Sequence, residues 1–326
     1  MIEKLHTFGK FLDQPLLISK FERSMPAILG TGAALIWAKD SYDVFQKTID
    51  KKEAKKTVLS RAMVTASAVI SALLAPKIAS KITKRAPLES IQKVKDNNLK
   101  LLDKFIIDSN PEPEILDILN KAKEKVLNLD EVKKLILKYG ANSEFIQKLI
   151  PDPVNIKAHD IFSEIGYLSI YGAVPVVGGV AGGIGADIIT KEDYKKKIPD
   201  KVNEGIYQYL ANIFMCNVGA GGALAILEKF GITSKSARAI GMIAGIILTG
   251  VIGGSKIANF ISQKILAPIF TPKSKPKERT PELVDLGLHT DDIATVSVLS
   301  GLKWIEPALP VLYSVSGYRA GIGYRN

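Results

Sequence analysis

One polar motif stands twice in this chain, and that repetition limits the architectures open to it. Pro151-Asp152-Pro153-Val154-Asn155-Ile156-Lys157-Ala158-His159 is followed by Asp160-Ile161, and Pro281-Glu282-Leu283-Val284-Asp285-Leu286-Gly287-Leu288-His289 is followed by Asp292-Ile293. Proline, valine and histidine fall at the same offsets. Each copy leads into an apolar stretch with a second match, Ala173-Val174-Pro175-Val176-Val177 against Ala308-Leu309-Pro310-Val311-Leu312. A self-match of this kind, recurring in the same order, points to an architecture built from repeats.

Six apolar stretches accompany the motif: 24–38, 62–76, 165–186, 205–227, 239–254 and 293–318. A membrane-crossing helix needs roughly 17–25 such residues. The first two fall just short of that length, and Lys303 and Glu306 interrupt the last. Helices are the economical reading, because an isolated strand leaves its backbone unsatisfied in lipid. The earlier stretches pair with the later ones. Leu29-Gly30-Thr31-Gly32-Ala33-Ala34-Leu35 resembles Val218-Gly219-Ala220-Gly221-Gly222-Ala223-Leu224, and Arg61-Ala62 opens its stretch as Arg238-Ala239 opens another.

The expectation is an all-α, polytopic integral membrane protein of about six transmembrane helices in two three-helix repeats. A unit of three crossings ends on the side opposite its start, so a tandem second copy must be inverted. Inverted repeats place a functional path at their interface. The expected division is an N-terminal amphipathic region (1–23), a first membrane repeat (24–85 and 158–190), a helical insert (86–157) and a second membrane repeat (191–326).

Within the insert, Leu88, Ile91, Val94, Leu101, Leu102 and Phe105 recur at helical spacing, as do Ile115, Leu116, Ile118, Leu119, Ala122 and Val126. Three or four amphipathic helices are expected there, able to bind a soluble partner. Ile2, Leu5, Phe8, Phe11 and Leu12 also follow helical spacing. That helix either lies on the membrane or packs on the protein.

The net charge is +11, and the lysines cluster beside apolar runs rather than among aromatic residues. Such clusters favour anionic lipid over nucleic acid. The expected location is a multi-pass one in a membrane, a bacterial cytoplasmic membrane by the excess of lysine over arginine. The lone Cys216 excludes an internal disulfide and a cysteine-built metal site. His159 and His289 would lie on opposite faces of inverted halves, about 30 Å apart, too far to share a metal. Helix capping by Asp160 and by Asp291 or Asp292 is the simpler role for their surroundings. No Ser/His/Asp or Cys/His arrangement is present, and no enzyme activity, metal or cofactor is expected.

Glycine pairs four apart recur at Gly178/Gly182, Gly179/Gly183, Gly241/Gly245, Gly250/Gly254 and Gly317/Gly321. This spacing makes a flat groove in which another helix packs closely; the phosphate-loop pattern is missing. Candidates for a translocation path are the Lys303 and Glu306 charges, Pro175 and Pro310 as helix kinks or breaks, and Asn212 and Asn217 as polar groups within an apolar stretch. The leading expectation is passage of a small solute or ion at the repeat interface. The alternative is a non-catalytic scaffold whose glycine faces assemble helices, with homo-oligomers as one outcome.

Overall fold

In a computed structural model, residues 2–85, 89–150, 157–270, 278–283, 285 and 309–324 are described. They are 85% helical and contain no strand. The described residues fall into two compact units, one with residues 2–24 and 89–150, the other with 25–85, 157–270, 278–285 and 309–324.

The first unit is made of short helices with strong local punctuation. Helices α1 (Ile2–Leu12) and the opening turns of α2 (Pro15–Lys47) join α4 (Ile91–Ser109), α5 (Pro113–Ala122), α6 (Leu129–Tyr139) and α7 (Glu144–Leu149). Ser90 and Ser143 accept hydrogen bonds from the third backbone N–H beyond them, and Pro113 opens α5. These residues satisfy or remove donors that a helix start leaves unpaired. Asn128 and Glu131 form a reciprocal capping box at α6. The apolar stripes of these helices meet in a core around Leu102, Leu119, Leu135 and Ile146.

The N-terminal helix packs on this insert. Phe11 lies against its core, and Lys10 Nζ donates to the Ile150 carbonyl at 3.3 Å. Gln14 bridges to Leu127 in both directions: its amide donates to the Leu127 carbonyl at 2.9 Å, and its carbonyl accepts from the Leu127 N–H at 2.8 Å.

The second unit holds the long helices. These are the rest of α2, α3 (Lys51–Thr83), α8 (Ala158–Ile189), α9 (Tyr194–Lys229), the long helix α10 over residues 235–270, and α11 (Leu309–Ile322). Among the described residues, four segments are long and apolar enough to cross a membrane: Lys51–Thr83, Ile161–Ile189, Tyr194–Lys229 and Ala237–Phe270. The chain is a helical membrane protein on this ground. The first and last of the six expected stretches are not among the four. The stretch 24–38 is closed off by Glu22 and Arg23 on one side and by Lys39 and Asp40 on the other, so a longer window along α2 takes in charged residues. The last stretch falls largely on residues outside those described, and α11 itself has 14 residues.

Small residues set how closely these helices approach. α3 buries Ala68, Ala72, Ala75 and Ala79 along one face, and Ser67 donates across to the Gly178 carbonyl on α8 at 2.7 Å. In lipid, such contacts replace the hydrophobic drive that water would supply. Two stretches of α10, Ile246–Gly254 and Ser262–Leu266, are π-helical, as is Leu210–Phe214 in α9. π-Helical turns recur at functional sites. The one in α9 is tied by a bond from Cys216 Sγ to the Ala211 carbonyl, 2.9 Å long.

Candidate functional site: a buried charge cluster

The chemistry of the second unit concentrates where α9 meets residues 278–285 and the C-terminal half of α11. Glu204 directly precedes the apolar stretch 205–227, and Gln208 and Asn212 follow it at intervals of four. That interval stacks the three side chains on one helix face. Gln208 Nε2 donates to Glu204 Oε1 at 2.8 Å, and Asn212 Nδ2 donates to Gln208 Oε1 at 2.9 Å. All three are buried. From Glu204 to Asn212 the ladder reaches about 12 Å into the apolar stretch.

Asp285, which is fully buried, is the hub of the cluster. Its carboxylate accepts from Arg279 Nη2 at 3.1 and 3.4 Å, from Arg319 Nη1 at 3.0 Å and from the Glu282 N–H at 2.8 Å. Asn212 Nδ2 at 3.3 Å and the Tyr207 hydroxyl at 3.4 Å complete the set. Glu282 Oε2 takes second bonds from Arg279 at 3.2 Å and Arg319 at 2.6 Å. The guanidinium of Arg279 lies 4.8 Å from the Tyr207 ring centroid, and that of Arg319 lies 4.4 Å from the Tyr324 ring centroid. Arg279 also meets Glu204, Nε to Oε2, at 3.5 Å. That contact is Coulombic rather than a hydrogen bond. Burial disfavours the charge on Arg279, but Glu204 and Asp285 outweigh it and raise its pKa above the ordinary guanidinium value.

The described members of this cluster are three carboxylates, Glu204, Glu282 and Asp285, and two guanidiniums, Arg279 and Arg319. Desolvating a charge costs several kcal/mol, which only close, well-bonded partners offset. Asp285 has such partners in full. Oδ1 of Asn212 and Oδ1 of Asn203 accept no hydrogen bond among the described residues, although both residues are buried. One turn before Glu204, Lys201 Nζ pairs with Asp187 at 3.1 Å and donates to the Gly321 carbonyl at 2.8 Å. Asp187 is thus buried against a lysine.

Of the expected path residues that are described, Asn212 alone joins this cluster. Asn217 donates to the Ile213 carbonyl of its own helix at 2.7 Å. Pro175 lies inside helix α8, and Pro310 stands in the first described turn of α11. Lys303 and Glu306 lie outside the described residues, as do His289, Asp291 and Asp292. His159 is exposed near the start of α8. Among the described residues no group of three or more His, Cys, Asp or Glu side chains is placed to hold a metal ion.

The glycines named for helix packing sit against definite partners. A Cβ at Gly178 or Gly182 would strike Ser71 or Ser67 of α3, and one at Gly183 would strike the Gly321 backbone of α11. Gly241 meets Leu227, and Gly245 meets the Gly219 backbone. Gly250 meets Cys216, and Gly254 meets the backbone at Leu210 and Ala211. Gly30 and Gly32, aligned above with Gly219 and Gly221, have open space instead.

Glu204, Gln208, Arg279, Glu282, Asp285 and Arg319 were not expected at a site. The four-residue spacing from Glu204 to Asn212 is the one sequence signal that could have singled out part of the set. Comparison with family models, curated proteins and solved structures finds no match for this chain.

Proposed function

We propose that the chain is a channel- or transporter-like membrane protein that passes a small ion or solute between two pseudo-symmetric, inverted halves of three segments each. The observation that carries this reading is the buried charge cluster with its polar ladder. Ionisable groups set among membrane helices are costly and mark ion or proton pathways far more often than inert structure. The ladder also gives a charged or hydrogen-bonding solute successive polar contacts along α9. Three candidate spans lie between His159 and His289. An odd number of crossings supports opposite faces for the two copies of the motif.

The test is flux through sealed liposomes containing the purified protein. Selective flux of one ion or metabolite class is expected, with Glu204→Gln lowering it by tenfold or more, an effect of about 1.4 kcal/mol on the barrier. Lys303→Ala is expected to abolish it. Intact liposomes that pass no tested class, or a Glu204→Gln protein with unchanged flux, would count against passage.

The second reading is a non-catalytic scaffold, favoured by the backbone-to-backbone contacts of Gly183 with Gly321 and Gly219 with Gly245. It assigns the glycine faces to assembly and residues 86–157 to a soluble partner. Under it, the same liposomes show no flux, and the full-length protein recovers one dominant partner that insert substitutions release.

A further inference from the structure

A second feature of the larger unit stands apart from the charge cluster. Helices α2, α3 and α11 line an open, largely apolar groove. Its walls are apolar, with Ile28 and Ile36 from α2, Ala68 and Val69 from α3, and Val315 from α11. Gly32 keeps it open, since a Cβ there would have nothing within 4 Å. The eight helical steps from Ile28 to Ile36 give the groove about 12 Å of length along α2.

One end of the groove is polar. Tyr318, which lines it, donates its hydroxyl to Asp40, and Arg61 Nη1 donates to the same carboxylate oxygen at 2.6 Å. The Arg61 and Asp40 side chains stay 30% and 23% exposed. This end is also basic. Residues 39–61 hold seven lysines and arginines against four acids, a net of +3, and Lys51, Lys52 and Lys55 are exposed at the start of α3.

We propose that the groove holds an acyl chain of one anionic phospholipid, with the phosphate against Arg61 and drawn there by the field of the lysines that open α3. The flank of α3, a candidate span, supplies one wall, so the surrounding medium is hydrocarbon. A chain seated between three helices gains close dispersion contact along its length. A planar guanidinium suits a phosphate group, and each basic residue at a membrane surface strengthens attraction to anionic lipid. The site is independent of the proposed passage and survives if the protein transports nothing.

The test uses delipidated full-length protein in detergent, with lipid retention read by native mass spectrometry and the melting midpoint read in parallel. Phosphatidylglycerol should be retained as one tightly held molecule and raise the midpoint. Phosphatidylcholine with the same chains should bind about fivefold more weakly, the effect of one lost charge contact. Inorganic phosphate, lacking a chain, should do nothing. Gly32→Phe fills the groove, and its Cβ enters open space, so the lipid-free midpoint should hold while retention is lost. Arg61→Gln should erase the preference for phosphatidylglycerol over phosphatidylcholine. Equal retention of the two lipids by the wild-type protein, or unchanged retention by Gly32→Phe, overturns the proposal. So does a phosphate effect as large as that of the lipid.

Discussion

Asp285→Ala will strip the second unit of its electrostatic hub and destabilise it by about 3–5 kcal/mol, the cost of breaking a buried ion pair from one side. Arg279 and Arg319 both donate to Asp285, and both are buried. Without it, two guanidiniums face Glu282 and Glu204 only. Asn212 Nδ2 and the Tyr207 hydroxyl lose an acceptor at the same time. The penalty of leaving such groups unmatched exceeds the net worth of the bonds themselves. Asp285→Asn keeps the shape and one acceptor oxygen, so it should fall between wild type and Asp285→Ala. Melting midpoints in one detergent provide the ranking, and equal midpoints for all three proteins would contradict the hub role.

Gly179→Leu carries the other large effect. A Cβ at Gly179 would overlap the backbone carbonyl of Gly317 on α11, and backbone cannot rotate away as a side chain can. α8 and α11 would have to separate. Ordinary overpacking costs about 1–3 kcal/mol because side chains absorb part of it. Here the loss should exceed that range and appear as aggregation or a much lower midpoint. Gly185→Ala provides the contrast within the same glycine run. Nothing lies within 4 Å of its Cβ position, and alanine favours helix by about 0.5–1 kcal/mol over glycine. That protein should melt at or slightly above the wild-type midpoint. A Gly179→Leu protein that melts like Gly185→Ala would show that α8 and α11 do not touch there.

These two sites differ in how far the sequence discloses them. Pairs at Gly178/Gly182 and Gly179/Gly183 announce a close helix contact by spacing alone. Their partners on α3 and α11 are set by tertiary packing and leave no trace in local periodicity. The charge cluster is harder to read. Glu204 stands on the edge of an uncharged stretch and reads as the end of a polar loop, so the ladder it heads loses its first rung. Asp285 bonds to Asn212 from 73 residues away, a separation no windowed pattern reaches. Arg279 follows a basic, proline-broken run and reads as linker; Glu282 and Asp285 read only as matches to the repeat.

The helices extend beyond the apolar stretches for a related reason. The uncharged window 62–76 is short, yet α3 runs from Lys51 to Thr83. Asp50 caps its start, and its Lys-rich first turns remain helical outside the apolar stretch. In the insert, by contrast, apolar period and capping residues agree locally. Among the described residues there, the helices are α4, α5, α6 and α7.

Passage between two halves rests on their inversion, and side-specific labelling tests that most directly. With Cys216 replaced by alanine, single cysteines at Lys157 and Thr290 would be exposed to a membrane-impermeant thiol reagent in sealed, uniformly oriented vesicles. The account predicts that one position labels from outside and the other only after the vesicles are opened. Labelling of both positions from the same side would contradict it.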